Sequence, residues 1–437
     1  MTVRLPNSKN PRVVIIGAGF GGMELAKKLR NSPFQVILLD KNNYHNFQPL
    51  LYQVATGGLE PDSIAYPIRK VFRGVKNVSF RMAEVQHIDA ADKCLHTNIG
   101  KISYDYLVIA SGSKTNYFNF ESISDQFMPL KSVPDALNLR SFILQNFEEA
   151  ISSVDSDDRE ELINIAIVGA GPTGVELAGA LGEMKKYIFP KDYPELDLSR
   201  MRILLFEAAD RVLGVMSEEA SKKAEEYVRQ FEVEIYLNTV VSEYADSILT
   251  TKDGQTFRTD TIIWTAGVQG NQPKGLDPKS LAKGNRILVN SFNQVSGYAD
   301  IFAIGDIGAM ISEATPKGHP MVAPVAMQQA DLLAKNLVLL EAKKPLKEFV
   351  YKDKGSMATI GRNRAVVDLP NFKFQGFFAW WVWMFVHIIS LIGFRNKLAT
   401  LWGWAYNYLT YDRAMRLIIR PYKKQEFIKM EEEGNPN

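Results

Sequence analysis

Val13-Val14-Ile15-Ile16 runs directly into Gly17-Ala18-Gly19-Phe20-Gly21-Gly22, and then into Met23-Glu24-Leu25-Ala26-Lys27-Lys28-Leu29. A second copy reads Ile165-Ala166-Ile167-Val168, Gly169-Ala170-Gly171-Pro172-Thr173-Gly174, Val175-Glu176-Leu177-Ala178-Gly179-Ala180-Leu181. Each is a β-rich apolar run, a glycine-rich turn and a helix with apolar residues at helical spacing. Each precedes a second strand that ends in an acid, Asp40 in one copy and Glu207 in the other. These residue types suit a dinucleotide. The first glycine permits the tight turn, the second lets backbone approach a pyrophosphate, and the third allows close helix–strand packing. The helix N-terminus adds N–H groups and a positive dipole end. The acid can accept hydrogen bonds from adenosine ribose hydroxyls. Asp40 stands 23 residues after Gly17, near the usual spacing, whereas Glu207 stands 38 after Gly169. Residues 182–200, with Pro190 and Pro194, read as an insertion that lengthens the second copy. One glycine-rich turn alone is a common tight turn; two in the same strand–turn–helix context are not.

The repeat extends beyond the glycines. Residues 94–103 read as a hairpin, followed by a strand closing on Ser111-Gly112; residues 248–257, with an Asp253-Gly254 turn, precede one closing on Ala266-Gly267. Small residues at those strand ends let backbone approach a ligand. Tyr298-Ala299-Asp300-Ile301-Phe302-Ala303-Ile304-Gly305-Asp306 has no twin; Asp306 can accept hydrogen bonds from a polyol chain or cap a turn. The expected fold class is α/β, with two nested Rossmann-like dinucleotide-binding domains.

The 437 residues suffice for two to four domains. Fifty-one basic and 49 acidic side chains give +2, which offers no field for nucleic acid. A single cysteine, Cys94, excludes an intramolecular disulfide, a redox cysteine pair and a cysteine-rich zinc site. His45, His87, His96, His319 and His387 show no metal-ligand spacing, so no metal is expected. The amino-terminal residues lack the apolar stretch of a secretory signal, making a cytoplasmic origin the default.

These motifs resemble the flavoproteins with two dinucleotide-binding domains and, among them, the type II NADH dehydrogenases, non-pumping NADH:quinone oxidoreductases of respiratory membranes. The resemblance runs from Val13 to about Arg420. It also draws on Tyr44-His45-Asn46-Phe47-Gln48-Pro49-Leu50-Leu51-Tyr52-Gln53-Val54-Ala55, on Gly355-Ser356-Met357-Ala358-Thr359-Ile360-Gly361-Arg362 and on the aromatic tail. It implies FAD on Gly17, Gly19, Gly22 and Asp40, with Asp306 on the ribityl chain and Gln48, Pro49 and Leu50 beside the isoalloxazine. It implies NADH on Gly169, Gly171, Gly174 and Glu207, with Ala266 and Gly267 along its path. Glu176 matches a family acid near nicotinamide and flavin; read from the sequence alone, an exposed first-turn glutamate fits equally. The quinone motif usually begins Ala-Gln and ends in Gln. Here it reads Ala323-Pro324-Val325-Ala326-Met327-Gln328, followed by Gln329, so Pro324 replaces the first glutamine. A helix start with proline in its first turn suits the same residues.

Five of the six tryptophans fall between Trp380 and Trp404. Residues 377–394 are apolar except for His387 and Ser390, and as one helix would span about 27 Å, short of the ~30 Å hydrocarbon core. From Arg395 to Lys429, eight Lys/Arg oppose only Asp412 and Glu426. A basic, aromatic, amphipathic helix pair describes an interfacial anchor on anionic lipid; a transmembrane helix and a buried dimer interface are the competitors. His387 reads as a packed or interfacial histidine.

The expected organisation is an FAD domain from residues 1–118 and 280–325, an NADH domain at 119–279, and a C-terminal segment, 326–437, anchoring through about 376–420. The expected activity is ping-pong oxidation of NADH with reduction of a membrane quinone, by a homodimer on the cytoplasmic face of a bacterial-type inner membrane. Glu176 and Gln328 are the candidate catalytic residues; Pro324, Gln328 and Gln329 are the candidates for quinone contact. A sulfide:quinone oxidoreductase shares fold and anchor but needs a cysteine pair, and a non-catalytic NAD(H)-binding membrane sensor is the rival of another class.

Overall fold

The computed structural model describes residues 2–410, together with 413, 416–418 and 421–422. Two five-stranded parallel sheets dominate it. The first runs in the order Ile301–Ala303, Tyr106–Ile109, Arg12–Ile16, Gln35–Asp40, Val78–Met82; the second runs Met128–Pro129, Thr261–Trp264, Ile165–Val168, Ile203–Phe206, Val233–Tyr236. Each half also carries a three-stranded antiparallel meander, Val85–Asp89 with Cys94–Thr97 and Gly100–Ser103, or Val241–Ala245 with Ile248–Thr251 and Thr256–Arg258. The repeat read from two glycine turns is therefore a repeat of whole architectures.

The strands are unbroken apolar runs because both sheet faces are covered. Val13, Ile15, Val36 and Leu38 enter the core on one side of the first sheet, and Val14, Ile16, Ile37 and Leu39 enter the core on the other. In the second sheet Ile165, Ile167, Ile203 and Leu205 divide from Ala166, Val168, Leu204 and Phe206 in the same way. The strand Ile301–Ala303 returns to the first sheet, and the helix Ala323–Glu341 packs against Phe20–Lys28, tied by Lys28 to Asp331 at 2.8 Å. An antiparallel ribbon of Ser113–Thr115 with Val268–Gly270 marks where the chain leaves the first half and returns.

Two expectations change. The insertion does not begin at 182, because the helix Pro172–Tyr187 carries on through that position. Gly182 makes this possible: a Cβ there would lie 2.6 Å from Phe231 Cβ, so only glycine lets the helix pass. Nor is 377–394 one helix. It breaks into Phe377–Ser390 and, with the following residues, Phe394–Thr410. Gly393 turns the chain at φ +87°, where a Cβ would sit 2.2 Å from the Tyr66 ring. The 14-residue first helix is about 21 Å long. Among the described residues no helix is long and apolar enough to cross a membrane.

The tail is built into the core. Ala379, Trp383, Met384, Leu391 and Trp404 belong to the same apolar cluster as Leu50, Leu51 and the second sheet. Polar hooks fix the second helix to residues 53–65. The buried Asn396 amide donates to the carbonyls of Asp62, Ser63 and Ala65 at 2.8–3.1 Å, Trp404 Nε1 donates to Gln53 Oε1 at 2.6 Å, and Asn407 donates to Gly58 O. Part of the expected basic stretch is neutralised internally: Arg413 pairs with Glu183 at 2.7 Å and Arg416 with Asp192 at 2.5 Å. Tyr411, Asp412, Arg420, Lys423, Lys424, Glu426 and Lys429 lie outside the described residues.

Three carbonyls satisfied by one buried amide make Asn396 the sharpest probe of this docking. Asn396→Ala is expected to lower stability by about 2 kcal/mol. Denaturant unfolding followed by tryptophan fluorescence checks this, and an unchanged midpoint would show that the amide does not hold the tail.

Candidate active site

The two glycine turns share one geometry. Gly17 (φ +99°) and Gly169 (φ +102°) occupy backbone regions closed to other residues, and a Cβ would meet Ala110 O at 2.3 Å or Ala266 Cα at 2.5 Å. A Cβ on Gly22 or Gly174 would lie 1.9 Å from the carbonyl oxygen of its own turn, that of Gly17 or Gly169. The middle glycines differ. Gly19 and Gly171 both have φ −69°, which any residue adopts, and a Cβ on either meets no protein atom within 4 Å. Nothing among the described residues requires glycine there. The space is a cradle beside the uncapped N-terminus of a helix, which fits a pyrophosphate.

Each strand-end acid is tied to its turn. Asp40 accepts from the N–H of Ala18 and of Asn42, both at 2.7 Å; Glu207 accepts from Ala170 N at 2.7 Å and Ala209 N at 2.9 Å. Burial raises the Asp40 pKa, and the two N–H groups oppose the rise. Among the described residues neither carboxylate pairs with an arginine. The remaining residues expected at the first site also gather at carboxyl ends of strands, where open α/β sheets bind ligands. Ser111 bonds Asn271 O, Gly112 turns at φ +68°, and Asp306 accepts from Ser113 Oγ next to Gly305 at φ +74°. Gln48-Pro49-Leu50 forms a single 3₁₀ turn with Gln48 exposed and Leu50 buried. Ala266 packs beneath Gly169, and the Phe118 ring tip lies 3.3 Å from where a Cβ on Gly267 would stand. Lys131, which sequence reasoning missed, is largely buried with the Asp306 carboxylate as its opposing charge; burial lowers its pKa.

The three residues of the altered quinone motif separate. Pro324 sits in the first turn of Ala323–Glu341, where its missing N–H has no helical partner to lose. The Gln328 carboxamide is engaged at both ends by the Lys352 backbone, at 2.9 and 3.0 Å. Gln329 is buried and accepts from Gly305 N at 2.7 Å, holding the turn that presents Asp306.

Glu176 is no exposed first-turn residue; it is 7% exposed. Its Oε1 faces the Thr359 N–H at 3.5 Å, and the Trp383 indole N–H leans toward it without a well-formed hydrogen bond. Burial pushes its pKa up to about 8, these two N–H groups acting against the rise. Beside it the buried Tyr52 hydroxyl accepts from Gln53 Nε2 at 2.9 Å, and Gln53 accepts from Trp404. Burial, then the charge of Glu176, drives the Tyr52 pKa upward. Tyr52, Gln53, Thr359, Trp383, Met384 and Trp404 line a narrow cavity of about 90 Å³. Its floor carries Glu183, held by Arg413 and by the Arg362 backbone.

Residues 11–330 match the family of pyridine nucleotide-disulphide oxidoreductases, and residues 354–411 match the NDH2 C-terminal domain. A type II NADH:quinone oxidoreductase of Mycobacterium tuberculosis, Ndh, is 35% identical over 431 residues, covering 94% of this chain and 92% of the relative. The chain belongs to the type II NADH:quinone oxidoreductases. The enzyme of the same name from Haemophilus influenzae is 32% identical, covering 82% of this chain and 87% of its own. The fold of NDH2 from Plasmodium falciparum in complex with NADH matches with a TM-score of 0.85 at 21% identity, covering 94% and 100%. A sulfide:quinone oxidoreductase from Aquifex aeolicus shares the fold at a TM-score of 0.70 and 20% identity, covering 89% and 92%. Here Cys94 stands alone on the outer meander, its thiol directed to Leu95 O. The enzyme oxidises NADH and reduces quinone, and its family implies FAD and NAD(H) binding.

Two tests follow from this geometry. Gly171→Ala and Gly19→Ala are expected to fold normally yet to lose affinity, the first for NADH and the second for FAD. Circular dichroism, NADH titration and flavin content after purification separate them, and retained binding by either variant would show its cradle to be empty of ligand. The second test concerns pH. Glu176 binds its proton in the fold up to about 8 but loses it near 4.5 when unfolded. The stability it contributes is therefore full below 4.5 and lost as pH rises through 8. Glu176→Gln should gain melting temperature relative to wild type across that interval and hold the gain above it. A flat difference would refute the raised pKa.

Proposed function

We propose that FAD lies across Gly17–Gly22, Asp40, Ser111, Gly112 and Asp306, with Gln48, Pro49 and Leu50 beside its ring. NADH, the reducing substrate, takes Gly169–Gly174, Glu207, Ala266 and Gly267. The two open cradles at Gly19 and Gly171 carry this reading. The FAD half comprises 1–118 and 280–325, and the helix Ala323–Glu341, seated on Phe20–Lys28, extends it past 325; the NADH half is 119–279. Bound FAD supplies the carrier that takes a hydride from NADH and passes two electrons to quinone.

The protein's own part is orientation and proton supply. NADH, one proton and quinone give NAD⁺ and quinol, so one proton must come from the surroundings. Glu176, neutral below about pH 8, can hold that proton in a site closed to bulk water. The Tyr52 hydroxyl accepts from Gln53 and donates to no protein group among the described residues, which leaves its proton for a quinone oxygen. Gln328 could contact quinone only by releasing Lys352; Gln329 acts through Gly305. NAD⁺ leaves before quinone reacts, in a ping-pong cycle. A Glu207 carboxylate with Ala208, Ala209 and Asp210 after it repels a 2′-phosphate and favours NADH.

Phe378, Trp381, Phe385, Ile389, Phe394, Trp402 and Leu409 are exposed on the two C-terminal helices. Helices too short to span, with one face buried in the core and the other apolar and exposed, are suited to lie in the membrane interface. This face supports a peripheral position on the quinone-bearing membrane. A second copy of the chain is the competing occupant.

NADH should bleach the flavin spectrum of purified enzyme, and a short-chain quinone should restore it, with parallel double-reciprocal lines and a lower kcat/KM for NADPH. Converging lines, or equal use of NADPH, would overturn the cycle or the role of Glu207. Trp402→Ser with Leu409→Ser should release the enzyme from vesicles. If it instead yields monomers from a dimer while vesicle binding persists, the face belongs to a second copy.

A further inference from the structure

A second cavity, of about 400 Å³, opens behind the first where the aromatic helix begins. Tyr187, Tyr227, Asn363, Arg364 and Phe377 line it, and Arg362 and Glu183 separate it from the smaller cavity, since both line the two spaces. It plays no part in the redox reading, yet three of its groups are arranged as for a ligand.

Arg364 is fixed as a platform. Its guanidinium lies 4.9 Å over the Phe231 ring and 6.0 Å from the Tyr227 ring; Nε donates to Gln230 Oε1 at 3.0 Å and Nη1 to Arg362 O at 3.4 Å. Nη2 donates to no protein group among the described residues. Arg362 is committed elsewhere, donating to the carbonyls of Asn407 and Tyr408 at the end of the last helix, and Glu183 is neutralised by Arg413. The available charge is thus the cation of Arg364. Asn363 stands beside it at φ +64°, and its Oδ1 is buried with no hydrogen-bond partner. Asn363 and Arg364 are chain neighbours and both line the cavity, so an acceptor without a partner and a guanidinium N–H without one suit a ligand carrying both a hydroxyl and an anionic oxygen. Position narrows the choice. Phe377 lines the cavity and is also 54% exposed, continuous with Phe378 and Trp381 on the outward apolar face.

We propose that this cavity receives the headgroup of a phosphoglycerol lipid. The phosphate oxygen accepts from Arg364 Nη2, the Asn363 carboxamide turns from its buried position so that its Oδ1 accepts from the terminal glycerol hydroxyl, and the acyl chains leave past Phe377 along the aromatic face. The proposal rests on the membrane reading of that face and adds to it a specific lipid site. A guanidinium close to a lipid phosphate contributes enough to change affinity about fivefold, and loss of one hydrogen bond to a neutral group has a comparable effect.

Vesicle flotation tests it with three membranes: phosphatidylcholine alone, with phosphatidylglycerol, and with phosphatidic acid, which carries charge without the glycerol. Wild type should favour phosphatidylglycerol over both others. Arg364→Gln should lose about fivefold on phosphatidylglycerol. Asn363→Gly, which keeps the left-handed backbone at no cost, should erase the preference over phosphatidic acid. Both variants should oxidise NADH with a soluble quinone as wild type does, which shows that they are folded. Wild type that floats with no vesicle at all overturns the membrane reading itself. Wild type that floats while both variants keep its preferences overturns the headgroup site and leaves the membrane reading intact. Should glycerol phosphate raise the melting temperature of wild type but not of Arg364→Gln, with no lipid preference in either, the cavity serves a soluble phosphate ester and the lipid assignment falls.

Discussion

The burial of one carboxyl group, Glu176, joins the parts of this molecule that the sequence presents separately. Glu176 sits on the helix that opens the second dinucleotide cradle, and the residues that close over it come from the strand Ser356–Thr359 and the helix Phe377–Ser390. Water is kept away by Trp383 and by the docking of the last helix through Gln53, Gly58 and Asp62–Ala65. A carboxyl held neutral near physiological pH is a consequence of that closure, since its two facing N–H groups act in the opposite direction. The C-terminal helices therefore form a wall over Glu176, the proposed active-site acid, as well as an outward apolar face. Removing them would expose Glu176 and a large part of the core together, so truncation cannot isolate membrane attachment from catalysis.

The same wall explains how two substrates of opposite character reach one carrier. On the proposed reading NADH approaches from the carboxyl ends of the second sheet, at the glycine turn and Glu207. Quinone must come from an apolar phase. The cavity lined by Tyr52, Trp383 and Trp404 lies under the helices whose outer faces expose Phe385, Trp402 and Leu409. Separate entries for the two substrates, as proposed, suit a cycle in which one product departs before the second substrate enters.

Much of this was legible from local sequence. The turns at Gly17 and Gly169, the acids at Asp40 and Glu207, and the closing Gly-Asp at Gly305-Asp306 are short-range patterns whose chemistry depends on neighbours in the chain. The two sheets followed from them. Illegible were contacts set by tertiary approach: Tyr52, Gln53 and Trp404 are harmless apolar or amide residues until the tail folds back across hundreds of positions. Helix limits failed for a similar reason. Gly182 opens the stretch 182–200 that reads as an insertion, and Gly393 reads as one small residue in an apolar run. Phe231 decides the first, by needing the space, and Tyr66 the second, by denying it. Glu176 itself read equally well as exposed, because helix position says nothing of what later covers the helix.

Pro324 shows how a motif can lose a side chain without losing its architecture. The proline occupies a first-turn site where its backbone is well suited, so the helix Ala323–Glu341 starts as it would with glutamine. Gln328 then serves the Lys352 backbone and Gln329 the Gly305 turn, leaving no pair of carboxamides directed at a common ligand. If polar recognition of quinone is still needed, it must come from groups that retain unused hydrogen-bonding capacity. Tyr52 and Glu176 meet that condition, one with a proton it donates to no protein group and the other with a carboxyl kept neutral by burial. The constraint of satisfying buried polar groups thus moves the expected quinone contacts from the altered motif to the closed wall of the tail.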